Sequence, residues 1–156
     1  KYVGGLDISY LKGTDDAVAY LSVYDICTTK VVYENGKVCS IKLPYISGFL
    51  GFKEVPEYKK LVEAIIGQPF FPQVLLIDGC GILHHQEFGS ASHIGFELGI
   101  ATIGVAKTLL SVDGLHENDV KKEFKELNKV GTEIIVIMAE FYKIRYINFT
   151  RKINIF

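Results

Sequence analysis

Hydrophobic and polar positions alternate along the first forty residues, which is the pattern of strands with one buried face. The segments with this pattern are Tyr2–Tyr10 and residues 17–25, 30–33 and 37–43. Asn35-Gly36 separates the last two, and Asn-Gly favours a hairpin turn because both residues tolerate a positive φ. The pattern therefore predicts a three-stranded antiparallel meander with a turn at Asn35-Gly36.

Helical and strand patterns alternate after residue 52. An apolar stripe predicts a helix over residues 53–66, formed by Tyr58, Leu61, Val62 and Ile65. Pro56 is compatible with that helix only in its first turn. A continuous apolar run predicts that the strand over residues 73–77 is buried on both faces. Further patterns predict a helix through Ala91–Leu98, a strand over 101–106 and a charged helix over 118–128.

A meander followed by helix–strand units predicts an α/β fold, with a mixed sheet and helices packed on it. With Asp7 inside the first strand, this order suits a ribonuclease-H-like architecture, although order alone leaves other α/β folds open. The chain has no repeat and no linker, so we expect a single domain over residues 1–156.

Composition narrows the class of protein. Hydrophobic residues make up 49% and charged residues 22% of the 156 residues, as in globular proteins. The net charge of -1 excludes a global basic field, and no apolar run is long enough for a membrane span. The three unevenly spaced cysteines favour a reducing intracellular setting. The absence of an initial Met indicates a fragment.

Three carboxylates are candidates for metal binding: Asp7 in a strand, Glu54 near a helix start and Asp78 at a strand end. Oxygen ligands of this kind suit Mg²⁺, with Mn²⁺ as a substitute. Each has a simpler explanation as well. Asp7 would be a solvated edge-strand residue, Glu54 would complement the helix dipole, and Asp78 would begin an Asp-Gly turn.

Other residues around Asp78 suit a nucleotide ligand. Glycines 79, 81 and 89 would let a flat base lie against the main chain, or would serve turns only. His84 and His85 point to opposite sides if the backbone is extended. Lys107 follows a strand and suits a phosphate contact, and Tyr45 with Ile46 suits a wedge between stacked bases.

Together these residues resemble the endonuclease V family. The matching motifs are GLDISY, which ends at Tyr10, PYISGFLGFKEVP (44–56), LLIDGCGILHHQEFGSASHIG (75–95) and IGVAKTLL (103–110). They have the order and spacing of the family up to about Leu115. The His84-His85 pair and SVDGL (111–115) are more similar to the eukaryotic branch.

The resemblance implies a ribonuclease-H-like nuclease that hydrolyses the second phosphodiester 3′ to inosine and leaves 3′-hydroxyl and 5′-phosphate ends. It implies Mg²⁺ held by Asp7, Glu54 and Asp78, with Lys107 near the phosphate. It implies a hypoxanthine pocket and a strand-separating wedge. The pocket residues are Leu50, Gly79, Gly81, His84 and Gly89, and the wedge residues are Pro44, Tyr45, Ile46 and Ser47.

The implied substrate is single-stranded RNA containing inosine, or DNA containing deoxyinosine, which connects the family with RNA editing and DNA repair. The implied location is the cytoplasm or nucleus, including the nucleolus. Neither a membrane partner nor an oligomer is predicted.

Two departures from the family leave alternatives open. Gln86-Glu87 stands where the family has Arg-Gly, which removes positive charge near the nucleic acid. After about residue 116 the family motifs end, which indicates a divergent or truncated C-terminus. The chain is then either an active inosine endonuclease or a weak or inactive inosine-RNA-binding protein. A structure-selective nuclease with the same carboxylates ranks last.

Overall fold

Five strands form one mixed sheet in the computed structural model, which describes residues 1–44, 46–106, 116, 118–119 and 122. In chain order they are β1 (Tyr2–Tyr10), β2 (Asp16–Asp25), β3 (Lys30–Ser40), β4 (Val74–Asp78) and β5 (Ala101–Val105). Their order across the sheet is β3-β2-β1-β4-β5. The first three pair antiparallel, whereas β1, β4 and β5 pair parallel. The predicted meander and mixed sheet are confirmed.

The predicted turn at Asn35-Gly36 is wrong, because β3 runs through it without interruption. Asn35 pairs with Leu21 and Gly36 pairs with Tyr20, and the chain reverses at residues 26–29 instead. A Cβ at Gly36 would lie 2.9 Å from Cδ2 of the Tyr20 ring. The small residue therefore makes room for a cross-strand ring, and the hydrogen bonds to β2 override the local turn preference.

Two helices pack against the sheet, α1 (Leu50–Glu63) and α2 (Ser90–Leu98). The predicted apolar stripe is confirmed, since Tyr58, Leu61 and Val62 of α1, and Ile65 just after it, are at most 2% exposed. The helix ends at Glu63, three residues before the predicted end. The helix begins three residues before the predicted start, so Pro56 lies in its second turn and not in its first. Pro56 is exposed, and it leaves the α1 backbone without one N–H donor.

The core lies between these helices and one face of the sheet, where Leu6, Leu21, Leu75 and Ile77 are buried. Strand β4 was predicted to be buried on both faces, and this is wrong. Leu75 and Ile77 are fully buried, but Leu76 between them is 37% exposed. The strand therefore alternates between core and surface in the part of the chain that is described.

The predicted helix through Ala91–Leu98 and the predicted strand over 101–106 are confirmed by α2 and β5. Of the charged helix predicted over 118–128, residues 118, 119 and 122 are helical and the others lie outside the described residues. Among the described residues, no helix has the length and apolar character that crossing a membrane requires.

Candidate functional site

Glu54 is a carboxylate buried at the contact between α1 and β1. Glu54 is only 5% exposed, and its Oε1 accepts a hydrogen bond of 3.0 Å from the Tyr10 hydroxyl. Burial first, and then the negative charges of Asp78 and Asp7, raise the pKa of Glu54 to about 7, against the opposing effect of the Tyr10 hydrogen bond. Because the first turn of α1 contains no acidic residue, dipole complementarity does not explain Glu54.

Asp7 and Asp78 lie beside each other at the centre of the sheet. Leu6 of β1 pairs with Ile77 of β4, and each aspartate is the next residue of its strand. Both aspartates are exposed, whereas Leu6 and Ile77 are buried, as the alternation of a strand requires. Asp7 is not on an edge strand, because β1 pairs with a strand on each side.

The three carboxylates suit a hard divalent cation by their chemistry, since all of their donors are oxygens and their negative charges act on one another. Their side chains are not gathered in the structure. Among the described residues, no three His, Cys, Asp or Glu side chains lie close enough to enclose a metal ion. Of the three, Glu54 is the one whose carboxylate is already held by a hydrogen bond, from the Tyr10 hydroxyl.

Sequence reasoning missed two tyrosines at these carboxylates. Tyr10 donates to Glu54, and its ring lies 4.6 Å below the ammonium of Lys53. Tyr58, which the pattern assigned only to the core, has a phenol whose pKa is raised by burial and then by the charges of Glu54, Asp7 and Asp78. Its spacing of four residues from Glu54 on one helix was the available signal.

Residues 79–89 form a loop that is closed at its neck by hydrogen bonds. The Gly89 N–H donates to the Gly81 carbonyl at 2.9 Å, and the Ala91 N–H donates to the Cys80 carbonyl at 3.0 Å. A Cβ at Gly89 would lie 2.3 Å from the Cys80 carbonyl oxygen. The chain itself therefore requires glycine at residue 89, and this glycine by itself does not indicate a ligand.

The other glycines of the loop differ in what surrounds them. Gly79 has a φ of +145°, and a Cβ there would lie 3.3 Å from Cβ of Ser90. At Gly81 the nearest atom to a Cβ would be Oγ of Ser92, at 3.7 Å, which is an ordinary contact. Packing within the described residues thus does not require glycine at residue 81.

Strand β5 contributes a glycine that sequence reasoning missed. A Cβ at Gly104 would lie 2.5 Å from the Gly79 carbonyl oxygen and 2.6 Å from the Gly81 nitrogen. The absence of a side chain lets the loop cross directly over β5. The Gly79 N–H also donates to the Val105 carbonyl at 2.8 Å, so it is already occupied.

His84 lies in a compact turn and not on extended backbone. The prediction that the His84 and His85 side chains point to opposite sides assumed an extended backbone, and that assumption is wrong. Its carbonyl accepts from Glu87, and its Nδ1 accepts from the Gln86 N–H at 3.3 Å. A Cβ at Gly48 would lie 3.8 Å from Cε1 of His84. The segment before α1 therefore reaches the histidine.

The start of α2 brings the other predicted pocket residues together. A Cβ at Gly51, directly after Leu50, would lie 3.2 Å from Cα of Ser90. Ser90 is also the residue that a Cβ at Gly79 would contact. Gly51, Gly79 and Gly89 thus converge on one helix end, and Leu50 directly precedes Gly51 in the chain. The His93 ring lies between Phe52 and Phe88, with centroids 4.9 and 5.5 Å away.

Two of the predicted site residues, Tyr45 and Lys107, lie outside the described residues. Their neighbours Pro44, Ile46 and Ser47 are exposed, as the wedge prediction requires, and Ile46 is 56% exposed. Burial raises the pKa of the Cys80 thiol, which disfavours a thiolate nucleophile in this loop.

Comparison with known proteins identifies the family. The Endonuclease V family model matches residues 1–148, which extends beyond the last family motif of the sequence, at about Leu115. Human endonuclease V is 46% identical over 124 residues, 78% of this chain and 44% of the human protein. The mouse protein is 46% identical over 140 residues, 88% of this chain and 41% of its own length. The chain spans less than half the length of these relatives.

Solved structures agree with this result. The catalytic domain of human endonuclease V has a TM-score of 0.76 at 41% identity, covering 89% of this chain and 58% of that domain. Ciona intestinalis endonuclease V, solved with DNA containing an inosine, has a TM-score of 0.76 at 36% identity over 88% of this chain and 60% of its own. The fold is ribonuclease-H-like, as in these endonuclease V structures, and the endonuclease V relatives are metal-dependent nucleases that act on phosphodiester bonds. The chain belongs to the endonuclease V family.

The buried Glu54 predicts a stability that falls as pH rises. Its pKa is about 7 in the folded chain against an ordinary 4.5, so the folded state holds the extra proton between these values. The contribution of Glu54 to the free energy of unfolding is therefore fully present below pH 4.5. It is lost as pH rises through 7, which lowers that free energy by roughly 1–3 kcal/mol. Glu54→Gln should remove this contribution and unfold at higher urea concentration at pH 8.

Glu63→Gln is the matched control, because Glu63 is exposed on the same helix. It should keep the pH dependence of the wild type. An unchanged pH dependence in Glu54→Gln would show that Glu54 is not the titrating group.

The glycines of the loop predict two different responses to the same substitution. Gly89→Ala places a methyl group against the Cys80 carbonyl and should lower the free energy of unfolding by about 2 kcal/mol or more. Gly81→Ala should change it by about 0.5 kcal/mol or less. Urea denaturation followed by circular dichroism measures both, and equal losses would contradict the packing described for the loop.

Proposed function

We propose that this chain cleaves nucleic acid at inosine, at the second phosphodiester on the 3′ side, leaving 3′-hydroxyl and 5′-phosphate ends. The proposed substrate is single-stranded RNA containing inosine, or DNA containing deoxyinosine. The observation that carries the proposal is the buried Glu54 carboxylate, whose pKa is raised in part by the charges of Asp78 and Asp7. The glycine loop begins directly after Asp78.

Mg²⁺, with Mn²⁺ as a substitute, would supply a nucleophilic water and neutralise charge on the leaving oxygen. Glu54, Asp7 and Asp78 would hold it. Glu54 is supported by its buried, hydrogen-bonded position, and the two aspartates are supported by their places on the central parallel strands. Lys107 would contact the phosphate.

Base recognition is assigned to the loop and the residues around the start of α2. Hypoxanthine carries an oxygen where adenine has an amine, so a main-chain N–H donor distinguishes the two. The Gly79 N–H is occupied by Val105, which leaves residues 80–83 to provide that donor. There is space for a Cβ at residue 81, so packing does not explain the glycine there. Contact with the base is the proposed reason for it. Leu50, His84, Gly79 and Gly89 complete the proposed pocket.

The residues Pro44, Tyr45, Ile46 and Ser47 are proposed to separate stacked bases, and of these Pro44, Ile46 and Ser47 are described and exposed. The family, the three free cysteines and the proposed substrate support an intracellular location in the cytoplasm or nucleus. We also propose that residues 1–156 belong to a single domain.

A second candidate is a protein that binds inosine RNA and cleaves it weakly or not at all. One observation favours it: the three carboxylates are not gathered among the described residues.

A cleavage assay distinguishes these functions. The purified chain with Mg²⁺ should cut single-stranded RNA containing one inosine and leave the matched adenosine RNA intact. Asp78→Asn should lower the rate by about 100-fold or more, because it removes a charge from the proposed metal ligands. Asp15→Asn, in an exposed turn, serves as the control. Binding without cleavage supports the second candidate, and cleavage of both RNAs would indicate a structure-selective nuclease.

Gly81→Ala tests the proposed pocket. The variant should stay folded, yet a methyl group on the base side should raise KM for inosine RNA by about 10-fold. Steady-state cleavage measures this, and Ser92→Ala is the control because it changes the neighbouring side chain without adding volume. An unchanged KM would remove Gly81 from the pocket.

A further inference from the structure

Tyr10 is the only described residue with a side-chain hydrogen bond to Glu54. We propose that Tyr10 is a positioning residue, which holds the Glu54 carboxylate in the orientation needed to bind a divalent cation. This inference rests on the proposed function, because it concerns the metal ligands of that reaction.

The backbone of β1 places the phenol at the right face. Leu6 and Ile8 are buried under the helices, and Tyr10 follows them at the same alternate positions of the strand. Its hydroxyl thus meets Glu54 of α1, and the hydrogen bond of 3.0 Å joins residues 44 positions apart. β1 therefore carries both a proposed ligand, Asp7, and the group that orients another.

The ring of Tyr10 is itself held in place. The Lys53 ammonium lies 4.6 Å from the ring centroid, within the range of a cation–π interaction. Lys53 and Glu54 are neighbours on α1, so the helix contacts the ring and the hydroxyl of one tyrosine. Tyr10 is 39% exposed, so this two-point contact restrains a side chain that the core alone leaves partly in solvent.

The consequence for a cation follows from how the three carboxylates differ. Asp7 and Asp78 are exposed, whereas Glu54 is 5% exposed and hydrogen-bonded. A long side chain loses rotamer entropy when it is fixed by a ligand, and this loss is smaller when it is already oriented. Tyr10 therefore makes Glu54 the ligand that is ready before the cation binds.

The test is calorimetric titration of the whole metal-free chain with MnCl₂, without nucleic acid. Tyr10→Phe keeps the ring and removes the hydroxyl, and it should weaken Mn²⁺ binding by about 10-fold. Tyr24→Phe is the matched control, since Tyr24 is also 39% exposed, and it should bind as the wild type does. Far-UV circular dichroism at the titration temperature establishes that each variant is folded.

A double-mutant cycle separates positioning from general stabilisation. If Tyr10 acts through Glu54, Tyr10→Phe should cause no further loss of Mn²⁺ affinity in a Glu54→Gln background. In the cleavage assay, Tyr10→Phe should raise the Mg²⁺ concentration for half-maximal rate more than it lowers the rate at saturating Mg²⁺.

Each outcome has a separate meaning. Equal Mn²⁺ affinity in the wild type and Tyr10→Phe would overturn the inference and leave the proposed function standing. Equal losses with and without Glu54 would also overturn it, because Tyr10 would then act elsewhere. A wild-type chain that binds no Mn²⁺ would overturn the metal site of the proposed function, and the inference with it.

Discussion

The rest of the structure depends on the pairing of β1 with a strand on each side. Antiparallel pairing with β2 and parallel pairing with β4 bury Leu6 and Ile77 against the helices. The same register sets Asp7 beside Asp78, because each follows one of these paired residues. A shift by one residue would exchange the core and solvent faces of β1, so the burial of apolar side chains also fixes where the acidic ones lie.

The second constraint is the cost of placing a carboxylate at the contact between α1 and β1. Burial and two neighbouring negative charges disfavour the ionised form of Glu54, and one hydrogen bond from Tyr10 partly offsets them. A chain selected for stability alone would place an apolar residue there. A buried acid that costs stability is instead typical of a site whose charge serves binding or catalysis.

The loop after Asp78 shows how one residue type serves different purposes. Gly89 and Gly104 allow backbone to cross backbone, and Gly79 adopts a positive φ. Gly81 meets none of these needs within the described residues. The sequence does not distinguish these four glycines. The atoms around each one show whether packing requires glycine there or leaves the position free to contact a base.

The amino-acid sequence by itself determined the family and the mixed sheet, because motif spacing and hydrophobic alternation are local properties of the chain. The three carboxylates that it singled out as metal ligands stay a prediction. It misplaced the Asn35-Gly36 turn and the start of α1, where pairing with β2 and packing on the core outweigh local preference. Only the tertiary structure decided that Glu54 is buried while Asp7 and Asp78 are exposed. It alone showed the contact between Tyr10 and Glu54, because residues 44 positions apart meet only when α1 packs on the sheet.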